Sequence, residues 1–254
     1  MKIALITGAS SGMGREFAVQ ISKLYRNLDE LWVTARRRDR LESLQKAIPI
    51  PVRVFAGDMQ DDELFERIGQ SLEEEQADIR MLVNAAGYGK MKRAEEVEMS
   101  EQCGMIDINC KALTRMTLLC LPYMSKGSRI VNLASAAAFC PQPGFTVYAA
   151  SKSYVLSFSR ALGAELKNRK ITVTAVCPGP VDTEFFDRAG ALPSEEKKRF
   201  RAEAGAVVTQ ALKDAVKRRP VSVYGTAMKI SRACAGILPD GLLVEIMARI
   251  NHID

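Results

Sequence analysis

The chain of 254 residues contains a single histidine, His252, close to its last residue. That scarcity excludes a good deal of chemistry. A Ser-His-Asp hydrolase needs an imidazole base, and His252 would be the sole candidate. A histidine-based zinc centre is not expected either, and no metal ligands are assigned. Proton transfer at neutral pH must fall to another group. Long apolar runs are also missing. The opening stretch "MKIALITGAS" holds only a short apolar segment before Gly and Ser, too short for a signal sequence or a membrane span. The expectation is a cytoplasmic protein with no membrane partner. The six cysteines, at 103, 110, 120, 140, 177 and 234, form no C-x-x-C pair, so reduced thiols are expected.

Hydrophobic residues make up 47% of the chain, enough for a substantial core and against disorder. The net charge of +6 raises the question of nucleic acid. Basic residues mostly alternate with acidic ones, as in "PSEEKKRF". The exception is "ARRRDR", residues 35–40, which has no interleaved aromatic residues and so does not read as a single-strand-binding groove. No nucleic-acid partner is expected.

Strand and helix patterns alternate along the chain. Apolar runs at 2–7, 31–35, 52–56, the stretch "IRMLVN", 128–135 and 171–179 read as strands, with a possible seventh at 221–225. Helical periodicity covers 13–25, 38–47, 61–76, 100–124 and 147–167. The strands are continuous apolar runs, as strands buried on both faces of a parallel sheet are. With no repeat and no linker, the expectation is one doubly wound α/β domain over 1–254. The polar helical stretch 184–218 is the candidate lid, and the tail at 226–250 reads as two short helices broken at Pro239.

Between the first strand and first helix stands "TGASSGMG", with glycines at 8, 12 and 14. Glycine permits a tight turn and close approach of backbone to a pyrophosphate, which the helix N-terminus favours. The spacing is G-x-x-x-G-x-G, not the G-x-G-x-x-G of the standard dinucleotide fingerprint. The second strand ends in Thr34-Ala35-Arg36-Arg37, where an NAD-binding chain commonly carries an acid for the ribose 2′-hydroxyl. A guanidinium instead pairs with a 2′-phosphate. Arg36, helped by Arg37 and by Ser10 or Ser11, is expected to select NADP(H) over NAD(H).

Tyr148 and Lys152 stand one helical turn apart, and Ser135 ends the fifth strand. Hydride transfer to a carbonyl leaves an alkoxide that needs a proton. Without a histidine a tyrosine must supply it, although a free phenol has a pKa of about 10. A nearby ammonium favours phenolate, so Lys152 is expected to lower the pKa of Tyr148. Ser135 is placed to hydrogen-bond the substrate oxygen.

These residues, with Asp58 after the third strand, Asn84-Ala85-Ala86-Gly87 after the fourth, Asn109 and Pro178-Gly179-Pro180-Val181-Asp182-Thr183, make the chain resemble the short-chain dehydrogenase/reductases along almost its whole length. The resemblance implies a Rossmann-like fold with a seven-stranded sheet and an Asn-Ser-Tyr-Lys tetrad: Asn109, Ser135, Tyr148 and Lys152. By the same resemblance Tyr148 is the general acid in reduction and the base in oxidation. Lys152 binds the nicotinamide ribose, and Asn109 holds a water linking Lys152 to solvent. Cofactor contacts are implied for Gly8, Ser10, Ser11, Gly12, Met13, Gly14, Asn84, Ala85, Gly87, Pro178 and Gly179, with Asp58 at the adenine and Val181 and Thr183 at the carboxamide. Ala85 departs from the second Asn often found there. The family usually assembles as dimers or tetramers through the helices at 100–124 and 147–167.

The loops 88–99, 136–147 and 184–204 should wall the substrate site. They offer Tyr88, Met91, Phe139, Cys140, Phe145, Phe185, Phe186 and Leu192, a set suited to a hydrophobic, steroid-like or acyl ketone or secondary alcohol. Lys90, Lys92 and Arg93 offer a carboxylate site, against ordinary surface solvation. The competing reading is a non-catalytic NADP(H)-binding sensor of the same fold.

Overall fold

The computed structural model describes residues 1–190 and 201–253. Its first half alternates β1 (Lys2–Thr7), α1 (Gly12–Leu24), β2 (Glu30–Ala35), α2 (Arg38–Ala47), β3 (Val52–Ala56), α3 (Asp62–Glu74) and β4 (Asp78–Asn84). Then come α4 (Met99–Ile106), a π-helical turn (Asp107–Ala112), α5 (Leu113–Cys120), β5 (Arg129–Leu133), α6 (Thr146–Glu165) and β6 (Thr172–Val176). The remainder is β7 (Val181–Asp182), α7 (Phe185–Ala189), β8 (Ala202–Glu203), α8 (Ala204–Val216), β9 (Val221–Ser222), α9 (Thr226–Ala235) and α10 (Asp240–Ile250).

Seven strands form one sheet in the order β3-β2-β1-β4-β5-β6-β9, every neighbouring pair parallel. The doubly wound α/β architecture is therefore the one read from the alternating runs. Side chains along β1 show why both faces are apolar. Ala4 and Ile6 join a core with Phe17 and Ile21 of α1, Leu41 and Leu44 of α2, and Val207 and Val208 of α8. Ile3 and Leu5 point the other way, to Leu64 and Ile68 of α3, Met116 of α5 and Leu162 of α6. A period of two on each strand and helices on each side bury most strand positions, all but Lys2 in β1.

The chain runs outward from β1 to β3, then returns to lay β4 on the other side of β1. That reversal opens a crevice at the carboxyl ends of β1 and β4, where open α/β sheets bind ligands.

Three expectations are modified. The helix over 100–124 is interrupted by the π-helical turn and ends in a 3-10 turn, Leu121–Tyr123, at Pro122. The strand at 221–225 pairs only over Val221 and Ser222. The stretch 184–218 contains, besides its helices, the short strand β8, which pairs in parallel with β7 just ahead of the stretch, and its residues 191–200, Leu192 among them, lie outside the described residues. No helix among the described residues is long and apolar enough to cross a membrane.

Candidate active site

The turn after β1 is built by its glycines. Gly8 has φ +69°, and a Cβ there would lie 2.7 Å from the Ala86 nitrogen. At Gly14 a Cβ would lie 2.3 Å from the Gly8 carbonyl oxygen. Only glycine lets the start of α1 sit so close to the strand end. Ser11 is the N-cap of α1 and makes no side-chain cap bond, so the first-turn N–H groups are not closed off by it. Those are the requirements of a pyrophosphate cradle, and the residues present fit a dinucleotide. Met13 packs beside the core cluster, and Thr183 stands across from the loop, its Cβ 3.3 Å from where a Gly12 Cβ would be.

Thr7, which the sequence pattern does not single out as a site residue, ties this loop to the next strand. Its hydroxyl accepts the Ala85 and Ala86 N–H groups, each at 3.1 Å. Asn84 donates to Thr117 Oγ1 and Asn132 Oδ1, both at 2.9 Å, and Asn132 passes the bond to Ser159. This buried network joins the ends of β4 and β5 to α5 and α6.

At the end of β2 the two arginines take different positions. Arg36 is 64% exposed and only loosely paired with Asp58, at 3.9 Å. Arg37 turns inward: Nε and Nη2 donate to Ser10 Oγ at 3.3 and 3.1 Å, and Nη2 to Ser11 Oγ at 2.7 Å. Its Nη1 donates to Glu184 at 2.9 Å, and Arg40 pairs with the same carboxylate. Arg37 is one residue further along, at the N-cap of α2, and its side chain falls on the glycine-loop side.

Tyr148 and Lys152 both lie on the buried face of α6, with Ser151, Val155 and Ser159. Ser135 caps a 3-10 turn, Ala136–Phe139, and accepts the Ala137 N–H at 3.1 Å. Lys152 Nζ donates to the Leu133 carbonyl at 2.7 Å and sits 5.6 Å from the Tyr148 ring centroid. The two side chains are thus together, beside the carboxyl end of β5.

The electrostatics differ from the sequence expectation. Burial pushes the Tyr148 phenol up to about 12; hydrogen bonding to Ser135 opposes this and Cys177 adds to it. Lys152 is not among the causes. Burial likewise brings Lys152 down to about 8. Taking either charge out of water costs more than their neighbourhood returns, and the ammonium's hydrogen bond goes to a backbone carbonyl and not to the phenol oxygen.

Asn109 belongs to the π-helical turn and is fully buried. Its Oδ1 accepts the Tyr88 N–H at 3.1 Å, while Nδ2 donates to the Tyr88 carbonyl and to Ser151 Oγ, both at 2.9 Å. Ser151 in turn donates to the Tyr148 carbonyl at 2.7 Å. Both amide hydrogens are thus committed within the protein. Gly87 passes between these groups: a Cβ there would be 2.8 Å from Asn109 Oδ1 and 3.3 Å from Lys152 Nζ.

The wall residues divide. Phe145 stacks on Tyr148 at 4.2 Å and 19°, and Phe185 tilts against it at 5.5 Å. Tyr88, Met91 and Met105 complete that cluster. Gly89 presses on the tyrosine, its absent Cβ only 2.7 Å from Tyr148 Cδ2. Phe139 instead packs elsewhere, below Arg232, and Cys140 accepts from Gln142. Pro178 accepts the Ala136 N–H, Val181 is buried in β7, and Gly179 is covered by Met228. The 88–93 loop is tied to the lid: Met91 N–H donates to the Ala189 carbonyl, and the Arg188 guanidinium lies 3.5 Å from the Tyr88 ring centroid. Lys90 is paired with Glu101. Gly89, Ser151 and Glu184 escape sequence reading; Ser151, between Tyr148 and Lys152 on one helix face, is the one with a visible signal.

A parallel sheet with a glycine cradle at its crossover and a tyrosine–lysine pair at the neighbouring strand ends defines a nucleotide-dependent oxidoreductase. The short chain dehydrogenase family model matches residues 2–192, and the chain belongs to that family. It is an oxidoreductase that binds a nicotinamide cofactor. Sulfoacetaldehyde reductase 2 of Chromohalobacter salexigens is 36% identical over 192 residues, covering 72% of this chain and 74% of the relative. Serine 3-dehydrogenase of Agrobacterium fabrum is 34% identical over 186 residues, covering 71% and 72%. A short-chain dehydrogenase from Sphingobium yanoikuyae, solved in complex with NADPH, superposes with a TM-score of 0.78 at 27% identity, covering 96% of this chain and 95% of that one.

Proposed function

We propose that the protein interconverts a carbonyl and a secondary alcohol with NADP(H), using Tyr148 as general acid in reduction and general base in oxidation. The observation that carries this reading is the burial of Tyr148 and Lys152 on one face of α6, next to Ser135 and the glycine cradle. A bound nicotinamide would supply or accept the hydride. Tyr148 keeps its proton on Oη throughout the neutral range, as a proton donor to a nascent alkoxide must. Lys152, protonated below about pH 8, offsets the charge that the phenol acquires when that proton leaves. Ser135 steadies the substrate oxygen as charge develops on it.

Gly8, Gly12, Met13 and Gly14 would hold the pyrophosphate. Arg37, Ser10 and Ser11 would meet the 2′-phosphate, with Arg36 and Asp58 flanking the adenosine. Lys152 would bind the nicotinamide ribose, with Asn84, Ala85, Gly87, Pro178 and Gly179 lining the path and Val181 and Thr183 at the carboxamide. Asn109 would act by fixing Tyr88 and Ser151 around the pair. Residues 1–254 would work as one catalytic domain with a lid after β7, in the reducing cytoplasm that six free cysteines suit.

The test is Tyr148→Phe. Turnover should fall by about 10²–10⁴-fold with NADPH binding retained. Unchanged turnover overturns the assignment, and a wild-type chain that binds NADPH but turns over no carbonyl supports the sensor reading.

The apolar ring cluster of Phe145, Phe185, Tyr88, Met91 and Met105 favours a hydrophobic ketone. A second reading, a small anionic carbonyl compound, is favoured by Arg188. Its guanidinium faces the Tyr88 ring and has no carboxylate partner among the described residues. Sulfoacetaldehyde and serine, named in two relatives, both carry an anionic group. Matched ketones with and without a carboxylate or sulfonate separate the two. If the anionic reading holds, Arg188→Gln raises KM for the charged substrates by about tenfold and leaves the neutral ones unchanged.

A further inference from the structure

Glu184 follows Thr183 and is the N-cap residue of α7. Its carboxylate accepts from Arg37 Nη1 at 2.9 Å and from Arg40 Nη1. Arg37 meanwhile spends its other donors on Ser10 and Ser11. One guanidinium therefore fastens three segments together: the glycine loop, the turn after β2 and the start of α7. The two arginines hold the Glu184 carboxyl below its ordinary range, so it is an anion at neutral pH. The groups gathered around it are those that would read a cofactor's 2′-phosphate.

We propose that Glu184 is a cofactor-specificity residue acting by occupation: its carboxylate competes with the 2′-phosphate of NADP(H) for Arg37 and Arg40. This rests on the reading that Arg37 meets that phosphate. A dianionic phosphate and a carboxylate repel each other across a shared guanidinium, so binding one releases the other. Exposed ion pairs are weak, which makes the exchange an adjustable one. NADP(H) binding thus frees the first turn of α7 from the arginines, while NAD(H), with a hydroxyl in place of the phosphate, leaves it fastened. The consequence reaches the reaction centre, since Phe185, the next residue, lies against Tyr148, and Ala189 at the far end of α7 holds Met91.

The test is equilibrium binding of adenosine 2′,5′-bisphosphate and adenosine 5′-monophosphate to the full chain, to Glu184→Gln and to Asp187→Asn. Asp187 is an exposed carboxylate on the same helix, so its variant reports the general effect of removing one negative charge. The proposal expects Glu184→Gln to bind the bisphosphate about three- to tenfold more tightly. Its affinity for the monophosphate, and both affinities of Asp187→Asn, should change less than about twofold. Unchanged bisphosphate affinity, equal tightening for both nucleotides, or the same gain in Asp187→Asn overturns it. The underlying reading fails differently: the wild-type chain would bind bisphosphate no better than monophosphate, or Arg37→Gln would lose both alike.

Discussion

Burial treats Tyr148 and Lys152 alike, driving each towards its neutral form. For the lysine the consequence for stability has a definite sign. Its folded pKa, about 8, lies below the ordinary 10.5, so the folded chain holds this proton less tightly than the unfolded one. Below about pH 8 both states are protonated and the cost of the buried ammonium is felt in full; from about 8 upwards towards 10.5 it is progressively relieved. Lys152→Met keeps the stem and drops the charge. It should raise stability at pH 7 by about 1–3 kcal/mol in urea denaturation while abolishing turnover. The gap to the wild-type chain should close as pH rises above 8, where loss of the ammonium should also slow wild-type reduction. A variant less stable than wild type at pH 7 would show that the Leu133 bond outweighs desolvation.

At the scale of elements, the π-helical turn matters most. A regular helix through 99–120 would wind residues 107–112 into a tighter turn, and Asn109 would turn away from Tyr88. The wider turn seats its amide against the Tyr88 backbone and Ser151, and so joins the loop after β4 to α6. Asn109→Ala would strand the Tyr88 N–H and carbonyl in the interior. A loss of about 2–4 kcal/mol is expected in chemical denaturation, with a lower kcat from a displaced Tyr148. A loss below about 0.5 kcal/mol would mean that water fills the gap.

At the scale of the whole molecule, large apolar side chains remain on the surface. Met99, Ile106 and Leu118 of α4 and α5 are 78%, 50% and 55% exposed, and Tyr154 of α6, also exposed, shares a hydrogen bond with Thr114 of α5. Such a face is consistent with the proposed assembly of two or four copies through these helices. The paired change Ile106→Glu with Leu118→Glu should reduce the mass measured by light scattering to that of one chain. An unchanged mass would move the contact to α9, α10 and the turn between them, where Ile230, Ile246 and Ile237 are also exposed.

The alternation of strand and helix, the glycine turn and the tyrosine–lysine pair are legible in the residues, because each rests on a local rule. Apolar runs make buried parallel strands, glycines make a close turn, and a four-residue spacing puts two side chains on one helix face. What depended on long-range contact was not legible. Arg37 rather than Arg36 faces the glycine loop because of the turn into α2, and Glu184 meets it from a segment 147 residues away. For the same reason the Tyr148 shift runs opposite to what the four-residue spacing predicts. Spacing tells which charge lies near, but only the packed interior tells how much water each group has lost, and here desolvation is the larger effect.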